Sequence, residues 1–143
     1  MLLLHESVNE EMITEALIAF PDECCGFFFG EEDNDERIVT AIQPVVNSKE
    51  GDKRRRFEIA PADYMKAERF AAENGLHLLG VYHSHPGHPA VPSEHDRVAA
   101  QPYFSYIIIS VINNEWDNTR SWRLNTEQQF EEESIPDFKL IKN

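Results

Sequence analysis

The 143-residue sequence predicts a mixed α/β fold, a central mixed β-sheet flanked by helices, in one domain covering residues 1–143. Three observations carry that expectation. Apolar residues recur at helical spacing over 8–20. A short, unbroken apolar run at 25–29 suggests a strand buried on both faces, and 104–111 reads as a second, strongly apolar strand. Finally, helical patterns fall between strand patterns, giving an opening helix and then β, β, β, α, β, α, β, β.

Taken in order, Ser7 and Glu10 read as a capping box. Val8, Met12, Ala16, Leu17 and Phe20 then mark the helix over 8–20, which Pro21 ends. Cys25-Gly26-Phe27-Phe28-Phe29 is the first buried strand. The acidic stretch 31–36 is a turn, and 37–46 pairs back as a strand. A polar loop over 47–56 ends in Lys53-Arg54-Arg55-Arg56, and Phe57–Ile59 reads as a short strand. Pro61 starts a second helix that Gly75 stops. His77–Ser84 is the expected central strand. Ser93 begins a third helix, which stops before Pro102. Strands follow at 104–111 and 119–124, separated by the turn Asn113-Asn114. The acidic tail 127–143 has no assigned structure.

Thirteen basic residues face 26 acidic ones, a net charge of −13. An acidic surface repels phosphates, so neither nucleic acid nor an anionic membrane is an expected partner. At 41% hydrophobic and 27% charged, the composition is that of a folded chain rather than a disordered one. The opening lacks both a basic region and a long apolar stretch, so neither a secretion signal nor a transmembrane helix is expected. Cys24 and Cys25 are adjacent and cannot build a disulfide framework, which points to a reducing, cytoplasmic setting. Nothing in the sequence sets the oligomeric state.

The chemistry concentrates in residues 83–96, which hold four of the six histidines. His83 and His85 lie two apart on a strand, so both leave the same face. Pro86 cannot donate to a sheet ladder and stops the strand. Ser93 is a good N-cap, which puts Asp96 in the first turn of the next helix, within reach of the histidines. Two imidazoles and one carboxylate suit zinc and leave a fourth position open, as in catalytic rather than structural sites. Each piece also has an ordinary reading: Ser93-x-x-Asp96 as a capping box alone, the histidines as core or surface residues, and His88 and His95 as solvated residues.

The motif His83-Ser84-His85-Pro86, six residues, then Ser93-Glu94-His95-Asp96 resembles the signature of the JAMM (MPN-plus) zinc metallopeptidases. The resemblance implies a single MPN-like domain with a cytidine-deaminase-like three-layer arrangement. It implies one Zn2+ per chain, held by His83, His85 and Asp96. It also implies that Ser93 helps stabilise the tetrahedral oxyanion. Pro21-Asp22-Glu23-Cys24-Cys25-Gly26 matches the family's upstream element, which makes Glu23 the carried-over general acid/base. Composition and spacing do not select Glu23 from the other acidic residues. The chain resembles the compact prokaryotic branch, associated with cleavage after the C-terminal Gly-Gly tail of ubiquitin-like sulfur-carrier proteins. Some members release an amino acid and others a conjugated protein. The implied function is therefore that of a zinc-dependent metallopeptidase or isopeptidase acting on such a partner.

Three further expectations complete the reading. Lys53, Arg54, Arg55 and Arg56 form either a docking patch for an acidic carrier or a solvated loop run. Cys24 and Cys25 serve as core packing, or one thiolate closes the metal shell. Two other function classes remain open: a non-enzymatic, zinc-stabilised binding module for a ubiquitin-like partner, and a DNA-repair-associated relative with a similar His-x-His-Pro motif.

Overall fold

The computed structural model describes residues 1–136. A single seven-stranded sheet runs in the order β1-β3-β2-β4-β5-β6-β7. Its strands are β1 (Leu2–Leu4), β2 (Cys25–Asp33), β3 (Glu36–Val45), β4 (His77–Pro86), β5 (Ser105–Ile112), β6 (Glu115–Leu124) and β7 (Phe130–Glu133). Helices α1 (Glu6–Ala19), α2 (Pro61–Asn74) and α3 (Glu94–Ala99) connect them. The sheet is mixed: β1 with β3 and β4 with β5 are parallel, and the other neighbours are antiparallel.

Strand alternation splits the core in two. Phe28, Tyr82, Ile107 and Ile109 face α1 and pack with Val8, Met12 and Ala16. Phe27, Phe29, Val81 and Tyr106 face the other way and pack with Ala67 and Ala71 of α2. The result is three layers, with the sheet between α1 and α2. Burying each such Leu, Ile or Phe contributes roughly 1.5–3 kcal/mol, so both layers are strongly held. Gly26 is required by close packing, because a Cβ there would lie 2.5 Å from the Tyr82 ring.

The mixed α/β class and the central position of β4 match the sequence reading. Several boundaries differ. The Ser7–Glu10 capping box does not form, because the helix already begins at Glu6 with His5 as its N-cap. The cause is β1, a three-residue strand paired to β3 that hands the chain straight into the helix. Phe57–Ile59 is not a strand. The Glu58 backbone is instead taken up locally: its N–H donates to Asn47 Oδ1 (3.1 Å) and its carbonyl accepts from Ser48 N–H (2.9 Å). The acidic turn shrinks to Asn34-Asp35, since β2 and β3 pair as far as Asp33 and Glu36.

The tail contributes β7, against expectation for the Glu-rich sequence Phe130-Glu131-Glu132-Glu133. Its acids find partners on β6: Glu132 pairs with Arg120 (2.6 Å) and Glu133 accepts from Ser121 Oγ (2.7 Å). The Phe130 ring packs against Tyr106. The end of the predicted tail, 137–143, lies outside the described residues. Among the described residues, no helix is long and apolar enough to cross a membrane.

Candidate functional site

The site is assembled at the C-terminal end of β4. His83 and His85 leave the same face, and both are buried, at 1% and 7% exposure. Ser84, between them, points to the opposite face, where its Oγ accepts the Cys24 N–H at 2.8 Å. Pro86 is the last residue of the strand. The loop after it is tied down by Gly87 N–H to the Val111 carbonyl (2.7 Å) and by Trp122 Nε1–H to the Ala90 carbonyl (3.0 Å). This fixed path carries the Pro89 carbonyl to His85 Nδ1 at 2.9 Å. A proton on Nδ1 donated to that carbonyl turns the Nε2 lone pair toward the site.

Helix α3 supplies the third group. Ser93 is its N-cap, with Oγ accepting the Asp96 N–H (3.0 Å) while Ser93 N–H donates to Asp96 Oδ2 (2.9 Å). The capping box is therefore present, and it is also the device that aims Asp96. The same Oδ2 lies 3.3 Å from both His83 Nε2 and His85 Nε2. The two Nε2 atoms are 3.1 Å apart. One donor atom from each residue falls within 4.8 Å of the others. His83 Nδ1 is buried with no partner among the described residues. Phe57, in the loop after β3, stacks on the His83 ring at 4.5 Å and holds it.

These contacts set the protonation states. Burial pulls His83 down. Burial also works against His85, but the Asp96 carboxylate and the Pro89 carbonyl outweigh it and raise His85. Against the cost of its own burial, Asp96 is held well below the usual carboxylate range by the two imidazoles and the Ser93 N–H. An ionised carboxylate beside converging imidazole nitrogens is a donor set that fits a divalent metal ion.

Glu23 reaches the site through strand pairing. Cys25 lies opposite His83 in the antiparallel β2–β4 register, and Ser84 N–H donates to the Cys24 carbonyl at 3.1 Å. Continuing that register outward brings Glu23 alongside His85. The backbone of Glu23 is clamped by the loop after β3: its N–H donates to the Lys53 carbonyl (2.7 Å), and its carbonyl accepts from Asn47 Nδ2 (3.1 Å). Glu23 is only 5% exposed. Burial pushes its carboxyl up to about 8, with His85 opposing and Asp96 adding to the rise.

Two cavities flank the His83–His85–Asp96 cluster. One, of about 250 Å3, is lined by Glu23, Arg55, Arg56, His85, His88 and Ser93. The other, of about 290 Å3, has walls that include Phe57, Tyr64, Tyr106 and Phe130, together with His83, His95 and Asp96. Glu23, His83, His85, Ser93 and Asp96 thus lie together. The basic run does not act as one unit. Arg55 and Arg56 line the first cavity, Arg54 is exposed with its N–H bonded to Asp52, and Lys53 lines a separate cavity beside Glu15 and Cys24.

Cys24 packs in the α1-facing core, and the Cys25 thiol contacts the Val45 carbonyl at 3.8 Å. Burial pushes both thiols up to about 12. The candidate metal cluster found among the described residues contains neither. Sequence reasoning missed Asn47, Phe57 and the Pro89 carbonyl, since each acts through a contact across the fold that leaves no local pattern.

Comparison with known proteins gives the family and the fold. Residues 5–125 match the family described as prokaryotic homologs of the JAB domain, and the chain belongs to that family. Two curated relatives are each named desampylase. The one from Haloferax volcanii is 37% identical over 91 residues, covering 63% of this chain and 63% of its own length. The one from Pyrococcus furiosus is 31% identical over 113 residues, covering 79% of this chain and 74% of its own length. Among solved structures, a protein from Desulfitobacterium hafniense superposes with a TM-score of 0.83 at 33% identity, over 94% of this chain and 91% of that one. A JAB1/MPN domain protein from Archaeoglobus fulgidus shares the fold, with a TM-score of 0.58 at 16% identity, over 93% and 95% of the two chains.

Proposed function

We propose that this protein is a zinc metallopeptidase of the isopeptidase type. In this reading it hydrolyses the amide bond after the C-terminal Gly-Gly tail of a ubiquitin-like, sulfur-carrier protein. The observation that carries the reading is a single cavity wall on which Glu23, Ser93 and His85 meet, with His85 also part of the His83–His85–Asp96 cluster. The name desampylase shared by both curated relatives supports a deconjugating activity.

His83, His85 and Asp96 would hold the zinc. Zinc supplies Lewis acidity and draws the pKa of a water toward about 7. The remaining chemistry belongs to the protein. Glu23, raised by burial to about 8, is poised near neutral pH to take a proton from water and return it to the departing amine. The Ser93 hydroxyl is free to donate to a developing oxyanion, since its oxygen is the acceptor in the capping box. The Pro89 carbonyl keeps His85 in one tautomer.

The test is to incubate zinc-loaded protein with Gly-Gly-tailed carriers extended by an amino acid or a protein, and to read cleavage by mass. Glu23→Gln should keep its zinc and lose about 10²–10⁴-fold in turnover. Full activity of that variant would overturn the assignment.

A further inference from the structure

The two cavities beside the cluster differ in chemistry, and that difference gives the substrate a direction. Glu23, the group proposed to protonate the leaving amine, lines the first cavity and is not among the residues lining the second. On the function proposed above, the leaving group departs on the Glu23 side, and the acyl side enters past Phe57, Tyr64 and Tyr106. The leaving-group cavity is lined by two arginines, Arg55 (its side chain 77% exposed) and Arg56, in a protein whose net charge is −13. At about 250 Å3 it has room for about one residue of the leaving group.

We propose that Arg55 and Arg56 are specificity residues that bind the free α-carboxylate of the leaving group. The preferred substrate then carries a single amino acid after its Gly-Gly, rather than a lysine-linked protein. This rests on the function proposed above. Planar guanidinium groups match carboxylates in bidentate geometry, and a lysine ε-amine within a protein offers no carboxylate at that place. Arg55 has only a long pairing with Asp52, at 3.9 Å, and Arg56 Nη1 donates to the Arg55 carbonyl at 3.2 Å, so both retain donors for a ligand. The reaction is a balanced hydrolysis: the C–N bond after Gly-Gly breaks, water supplies the new acyl oxygen, and the amine leaves with a proton.

The test uses two acetylated peptides ending in Gly-Gly-Ala, one with a free carboxylate and one as the carboxamide. Binding is measured by calorimetry to the zinc-loaded Glu23→Gln variant, which separates recognition from turnover. The carboxylate peptide should bind about 5–10-fold tighter, a charge-assisted contact discounted for solvent exposure. Adding Arg55→Gln and Arg56→Gln should shrink the preference below 2-fold, and paired Lys substitutions should restore part of it. Arg69→Gln, on the exposed surface of α2, should leave it intact. Equal affinities, or no binding of either peptide at millimolar concentration, would overturn the proposal. If Arg56 served only to tune Glu23, its variant would move the pH profile of cleavage equally for both peptides and leave their ratio unchanged, which would also overturn it. Binding selectivity without cleavage of either peptide by the wild type would sink the proposed hydrolysis while the anion pocket stood.

Discussion

The two ends of β4 each bury charged or polar side chains, and they do so in opposite ways. Toward its N-terminal end, Arg37 is 2% exposed and makes four hydrogen bonds. Its guanidinium donates to the Leu79 carbonyl (3.0 Å), Ser105 Oγ (3.1 Å), the Tyr103 carbonyl (2.8 Å) and Glu32 (3.2 Å), and it lies over the Tyr103 ring. At the C-terminal end, His83 and His85 turn nitrogen atoms toward each other and toward one carboxylate, and His83 Nδ1 has no partner among the described residues. The Arg37 end is a closed network that ties β3 to β4 and β5. The histidine end converges lone pairs on a point and opens into two cavities. Buried polarity alone does not mark a functional site; convergent acceptors beside accessible space do.

Removing one group at each end should give opposite signatures. His85→Ala is expected to bring zinc from one per chain to near zero by elemental analysis, while the metal-free chain unfolds at nearly the wild-type urea midpoint. Unchanged zinc content would refute the ligand assignment. Arg37→Met should do the reverse. It strands the buried Leu79 carbonyl and Ser105 hydroxyl, so stability should fall by about 3–5 kcal/mol in urea unfolding, with zinc stoichiometry retained by the folded fraction.

A pH series on chelator-treated protein sharpens the contrast further. Glu23 ordinarily titrates near 4.5 and is raised to about 8 in the fold. The folded state therefore holds this proton more tightly than the unfolded chain. Its contribution is complete below 4.5 and is lost as pH rises through about 8. Wild type should lose on the order of a few kcal/mol across that window relative to Glu23→Gln. Parallel stability curves would show that burial does not hold the proton on Glu23. The smallest effect concerns the thiols. With both raised to about 12, Cys24 and Cys25 should alkylate only slowly at pH 8 in the native protein and rapidly after unfolding, read by mass.

Long-period signals were legible in the sequence. The apolar runs gave β2 and β5, Pro61 and Gly75 bounded α2, and His-x-His on a strand placed two imidazoles on one face. Short or atypical elements were not. β1 has three residues, and β7 is acidic at an edge and held by partners on β6, so neither carries a periodic pattern of its own. Phe57 looked strand-like, but the loop spends its backbone bonds on Asn47 and Ser48 and its ring on His83.

By itself, the sequence determined the local geometry of the site: two histidines on one strand face, a proline at the strand end, and a capped helix start that aims Asp96. Those features depend on residue type and spacing over a few positions. Tertiary structure decided what joined them. β2 lies between β3 and β4, a pairing of segments about sixty residues apart that brings Glu23 to His85. The loop after β3 closes over the same place, setting Arg55 and Arg56 on one side of the cluster and Phe57 against the other. Burial there, a property of the whole fold, raises one glutamate among many acidic residues into the range where proton transfer at neutral pH becomes possible.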